Sequence, residues 1–129
     1  MGTETISSSP IRILLANLSG IMRQMIANLI QAQPDMVLVG EVDGQIEVLY
    51  AALKGVDIVI IGSSQLYPPP GLCSHLLNEF PELKILVYAA RESAASGFWL
   101  DIRRCYIKDA SGGKLVDSLR NLHLIKPSL

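Results

Sequence analysis

An excess of charge of one sign is missing from this 129-residue sequence. Eleven Lys and Arg stand against twelve Asp and Glu, a formal net charge of −1. That excludes the broadly basic face with which a domain grips nucleic acid. Cysteine is scarce. Cys73 and Cys105 lie far apart, with no CxxC pair and no His at ligand spacing. A disulfide scaffold is therefore not expected, and each cysteine reads as a small buried hydrophobe of a reduced protein. No apolar run approaches the roughly 20 residues of a membrane span. The opening MGTETISSSP is polar and has no apolar core of the kind a signal peptide needs. Neither a GxGxxG nor a Walker-type loop occurs, and His75 and His123 stand without carboxylate or Cys companions at useful spacing. No membrane partner is expected, and the chain is placed in the cytoplasm.

What is present is apolar and alternating. Half of the residues are hydrophobic and 18% are charged, enough for one domain with one core. Strand-like runs fall at Ile11–Ala16, Met36–Val42, Asp57–Ile61, Lys84–Ala90 and Arg104–Ile107. Between them lie segments of helical period. Ser19 is placed to cap a helix whose apolar face carries Ile21, Met25, Ile26, Leu29 and Ile30, and Pro34 closes it. Ile46, Leu49, Tyr50 and Leu53 form the stripe of a second helix, which Gly55 ends. Leu72–Phe80 reads as a short third helix, Glu92–Asp101 as a fourth built from weak helix formers. Ser111 precedes a last helix with Leu115, Val116, Leu119 and Leu122 on one side.

This order predicts an α/β fold: a doubly wound, five-stranded parallel sheet with helices on both faces. Residues 1–10 read as a disordered leader, 11–122 as the domain, and 123–129 as the start of a linker.

Several stretches taken together resemble a response-regulator receiver domain of the CheY-like type. IRILLANLSGIMRQMIANLIQAQPDMVLVGEVDG resembles the opening of receivers that are joined to a helix-turn-helix output. VDIVIIG is similar to the strand that carries the phospho-accepting Asp. PELKILVYAA is similar to the strand with the switch hydroxyl, and CYIKDASGGKLVDSLR to the region of the invariant Lys. The resemblance spans about Ile11 to Leu122 and implies a flavodoxin-like three-layer sandwich.

At the positions that do the family's chemistry, the residues differ. The Mg²⁺-ligating acidic pair falls on Asn17 and Leu18, the phospho-acceptor on Gly62, the switch hydroxyl on Ala89 and the switch aromatic on Cys105; Lys108 alone matches. Aspartyl phosphorylation needs a carboxylate nucleophile, and Mg²⁺ prefers carboxylate oxygens. The resemblance therefore implies a degenerate receiver in which phosphotransfer is lost, with no catalytic residue, no bound metal and no Mg²⁺ cofactor. Lys108 reads as a partly solvated lysine, with an anion site as the sharper alternative. Ser63 and Ser64 read as loop residues that satisfy backbone groups. Tyr67 to Pro70 reads as a stiff cover over the vacated pocket.

Two kinds of function remain, with an enzyme ranked last. One is a protein-interaction module that regulates a transcriptional output or a partner, by binding another protein or as a homodimer through the face of the fourth helix, fifth strand and fifth helix. That face carries Phe98, Trp99, Arg103, Arg104, Lys114 and Arg120, and aromatics and Arg are favoured anchors. DNA would be bound only through a C-terminal output domain outside this chain. The other is a sensor that takes a small molecule in the vacated pocket.

Overall fold

In the computed structural model the chain is described for residues 9–64, 70–98, 104–108 and 110–124, with the side chains of Phe98, Arg104, Cys105 and Tyr106 left out of account. The elements run β1 (Ile11–Ala16), α1 (Gly20–Gln31), β2 (Met36–Val42), α2 (Gln45–Ala52), β3 (Ile58–Ser63), α3 (Gly71–Glu79), β4 (Lys84–Ala89), a 3₁₀ turn (Ala90–Glu92), β5 (Ala94–Phe98), β6 (Arg104–Ile107) and α4 (Gly112–Leu124). The sheet order is β2-β1-β3-β4-β5-β6. The β1–β2, β1–β3 and β3–β4 pairs are parallel.

The five parallel strands expected from the sequence are present as β2, β1, β3, β4 and β6, and the layers match a flavodoxin-like, CheY-like α/β fold. β1 and β3 are central and buried on both faces, which is why ILLA and IVII read as continuous apolar runs. Alternate residues split between two cores. Ile13, Leu15, Ile58, Ile60 and Leu86 pack under α1 and α4. Leu14, Ala16, Val59, Ile61 and Val87 pack under α2 and α3.

One predicted element is corrected. Of the segment expected as a helix over Glu92–Asp101, the part as far as Phe98 is instead the end of a 3₁₀ turn followed by β5, antiparallel to both β4 and β6, and positions 99–101 lie outside the described residues. Its sequence explains the exchange. Ser93 takes the left-handed conformation (φ 49°) and turns the chain back, and its carbonyl accepts from the Ala110 N–H at 2.8 Å. Ala94 and Ala95 then face opposite cores and are both buried. Small side chains let β5 fit between two strands, and the ladder on both flanks outweighs a weak helical propensity.

The apolar stripes of two helices are also corrected. α2 buries Val48 and Ala52, with Leu49 partly covered, and leaves Ile46, Tyr50 and Leu53 in solvent. α1 buries Ile26, Ala27 and Ile30 and exposes Ile21 and Met25. α4 buries Leu115, Val116, Leu119 and Leu122 as expected and continues to Leu124. Gly55 stands at φ 99° just past α2, a left-handed stop that favours glycine.

Long-range ties fix the ends of the layers. Asp57 Oδ2 accepts from the Arg12 backbone N–H at 2.8 Å, and Arg12 Nε donates to the Gly55 carbonyl at 2.7 Å. Arg120 on α4 forks onto Asp35, with Nε to Oδ2 at 2.7 Å and Nη2 to Oδ1 at 3.0 Å, and Nη2 also reaches Gln33 Oε1 at 2.7 Å. Arg120 therefore holds the α1–β2 loop against α4.

Candidate functional site

In a doubly wound sheet, ligands gather outside the carboxyl ends of the strands. Here the ends of β1, β3 and β4 meet there. The Asn17 N–H donates to the Val42 carbonyl at 3.1 Å. Asn17 itself is left-handed at φ 57°, a conformation that asparagine tolerates better than most residues. Its Oδ1 accepts from the Gly44 N–H at 2.9 Å. The side chain thus ties the β1–α1 loop to the β2–α2 turn, and one of the two lone pairs of the neutral oxygen it could offer a cation is already in use.

Leu18 turns inward and joins the core under α1 and α4, 6% exposed. The loop that carries these two residues presses on Gly62. A β-carbon at 62 would lie 2.5 Å from the Asn17 carbonyl oxygen, 2.9 Å from Leu18 Cδ2 and 3.1 Å from Leu18 Cα. Two of these three atoms belong to the backbone, so the crowding is not relieved by a side-chain rotation. Gly62 is small because the neighbouring loop occupies the space of its side chain.

Strand register decides which β4 residue shares the site. Gly62 pairs with Tyr88, and Ser63 pairs with Ala89. Tyr88 therefore lies on the Gly62 side of the sheet. Ala89 packs on the other side, with Ile61, Val87 and Ala94. The expectation that put Ala89 in this site is corrected by one residue. Tyr88 is 5% exposed, and burial pushes its phenol up from the ordinary value. Among the described residues its hydroxyl has no hydrogen-bond partner.

Around Tyr88 and Gly62 a hollow of about 310 Å³ remains, bounded by Leu18, Ser19 and Met22 on one side and Ser63 and Ala90 on the other. Among the described residues no charged side chain lines it. Ser19 holds the cap position of α1 with extended backbone, but its side chain makes no capping hydrogen bond. Lys108 is exposed just after β6 and is not among the lining residues. Cys105 pairs with Gly97 through the backbone, and its side chain lies outside the described residues.

This donor set does not suit Mg²⁺, which takes several oxygens with carboxylates among them. Among the described residues no three His, Cys, Asp or Glu side chains gather where they could hold a metal ion.

The expected interaction face is altered by β5. Phe98 ends that strand, paired with Ile85 and Arg104. Trp99 and Arg103 lie outside the described residues. Lys114 is exposed on α4, whereas Arg120 is committed to Asp35 and Gln33. Among the described residues no helix between β4 and β6 completes the face as predicted. Among the described residues no helix is long and apolar enough to cross a membrane.

No family model matches the sequence, and no curated protein is similar enough to count as a relative. A solved structure does match. The RcsB response regulator of Salmonella typhimurium, studied for conformational dynamism in DNA interaction, is 19% identical with a TM-score of 0.52. The match covers 62% of this chain and 42% of that one, so this chain spans less than half of the matched protein. The likeness defines a receiver-like fold.

Proposed function

We propose that this chain is a receiver-like module that works without phosphorylation and acts through protein contacts on an output, with no catalytic step of its own. The observation that carries the reading is the closed end of β3. An acceptor carboxylate needs a β-carbon at 62, and the Asn17 carbonyl leaves no room for one. The environment agrees with it: Leu18 is buried, the oxygen of Asn17 is engaged by Gly44, and Lys108 stands apart from the hollow. By analogy with the response regulator it resembles, the output would be a DNA-binding part outside these 129 residues, and the setting cytoplasmic. The net charge of −1 fits a domain that does not itself hold DNA.

The test is a thermal melt and a sedimentation profile with and without millimolar Mg²⁺ plus fluoroberyllate, a mimic of the aspartyl phosphate. Neither should change. A rise in melting temperature, or a shift in sedimentation, would overturn the reading.

A second reading has one observation in its favour. Tyr88, whose hydroxyl has no partner among the described residues, lines a hollow of about 310 Å³ that those residues leave uncharged and that is large enough for a small ligand. A metabolite that stabilises the wild type but not Tyr88→Phe would support it, and no saturable stabilisation across a metabolite panel would remove it.

A further inference from the structure

The face of α2 that looks away from the sheet carries three apolar side chains in solvent. Ile46 is 65% exposed, Tyr50 66% and Leu53 68%. Their spacing of i, i+4 and i+7 puts them in one row along a helix of eight residues and its last turn. A single exposed hydrophobe is ordinary, but a row is a contact surface. The inner face of the helix is separately satisfied by Val48 and Ala52, so the outer row is not a core stripe turned the wrong way.

The charges beside the row identify its occupant. Glu47 and Lys54 lie seven residues apart, each one place past a row residue, and so flank the row on the same side. Both are exposed, and among the described residues neither forms an ion pair within the chain. In a parallel two-fold pair the Glu47–Lys54 edges of the two copies lie on opposite flanks of the seam, and these charges do not meet. Laid antiparallel about a two-fold axis near Tyr50, they set Glu47 of each copy against Lys54 of the other and pair the helix dipoles favourably. The surface is thus complementary to itself in one orientation, as a two-fold interface requires.

We infer that α2 is a self-association surface on which a second copy of this chain packs antiparallel through Ile46, Tyr50 and Leu53, with Glu47–Lys54 pairs closing each end. The inference rests on the reading of the chain as an interaction module and gives that module a partner: itself. It also moves the contact from the β6 side of the sheet to the helix beside the β2 edge. A seam this short buries less than the roughly 1,200 Å² of a standard stable interface, so the dimer is a weak one.

The test is sedimentation velocity on the whole chain from about 1 µM to about 1 mM. The wild type should pass from monomer to dimer within that range. Tyr50→Glu, at an exposed site that leaves the fold intact, should remain monomeric throughout. Glu47→Lys and Lys54→Glu should each weaken the dimer by at least about tenfold, since each sets like charges against one another. The double variant restores opposite pairing and should recover the wild-type midpoint to within about threefold. A wild type that stays monomeric, a dimer that survives Tyr50→Glu, or a double variant as weak as the single ones overturns the proposal. None of these outcomes bears on phosphorylation. A response of the wild type to fluoroberyllate overturns the earlier reading and leaves this surface standing.

Discussion

The carbonyl oxygen of Asn17 stands 2.5 Å from the point where a β-carbon on Gly62 would be. That distance is well inside van der Waals contact, and the oxygen is held in place by the backbone bond from Asn17 to Val42. Introducing an acid here should therefore cost stability. Gly62→Ala should destabilise by about 1–3 kcal/mol, the usual penalty of overpacking, and Gly62→Asp by more. Urea denaturation checks the order. A Gly62→Asp variant as stable as the wild type and labelled by acetyl phosphate would contradict the closed strand end.

Asn17 holds its loop in two ways, by tolerating a left-handed backbone and by accepting from the Gly44 N–H. The two roles separate by substitution. Asn17→Gly keeps the conformation and loses only the side-chain bond, about 0.5–1.5 kcal/mol. Asn17→Ala loses the bond and adds the left-handed strain of about 1–2 kcal/mol. Alanine should therefore be the worse of the two in chemical denaturation, and equal losses would mean that backbone strain plays no part.

The Arg120 fork beside Asp35 holds its carboxyl below the usual range, chiefly through the side-chain hydrogen bond. A depressed carboxyl contributes stability that is fully present above the unfolded value, near 3.9, and is lost as the pH falls through the folded one. Arg120→Met should therefore be less stable than the wild type at pH 6, with the gap closing below about pH 4. Urea midpoints from pH 2.5 to 6 measure this. A gap that persists unchanged at the acid end would assign the loss to packing rather than charge. High salt should narrow the gap at pH 6, because both groups are partly solvated.

Ser96 sits at the centre of β5, fully buried, and its hydroxyl has no hydrogen-bond partner. Such a group pays its desolvation without return. Ser96→Ala removes the hydroxyl and leaves only a small change in volume, so it should be neutral or stabilising by up to about 1 kcal/mol. A clear loss of stability in a thermal melt would show that the hydroxyl has a bonded role in solution.

The parallel framework was legible because buried central strands leave an unbroken apolar signature, as in Leu14–Ala16 and Ile58–Ile61. The lack of acidic side chains at the ends of β1 and β3 was equally legible, since Leu18 and Gly62 have no polar side chain to misread. β5 was not legible. Its pairing partners are β4 and β6, and a local pattern in Glu92–Asp101 contains neither. The α2 face misled because the outward row Ile46, Tyr50 and Leu53 has the same helical spacing as a buried stripe, and only tertiary packing tells them apart. The exchange of Ala89 for Tyr88 follows from the period of a strand, where one residue of uncertainty changes the face. Arg120 and Asp35 are 85 positions apart, and no local signal links them.

The inserted strand has a mechanical consequence. A helix packed against a sheet can slide by an ångström or two, and many switches use that play as a lever. β5 occupies the place of such a helix, yet it is bonded along both flanks, to β4 and to β6. It also sets β6, and Lys108 behind it, one further strand spacing of about 4.8 Å away from β4. An event in the hollow near Tyr88 consequently meets a riveted plate where a moving part would be needed. A domain built this way is suited to be a fixed bracket, which would fit the proposed action through bound partners.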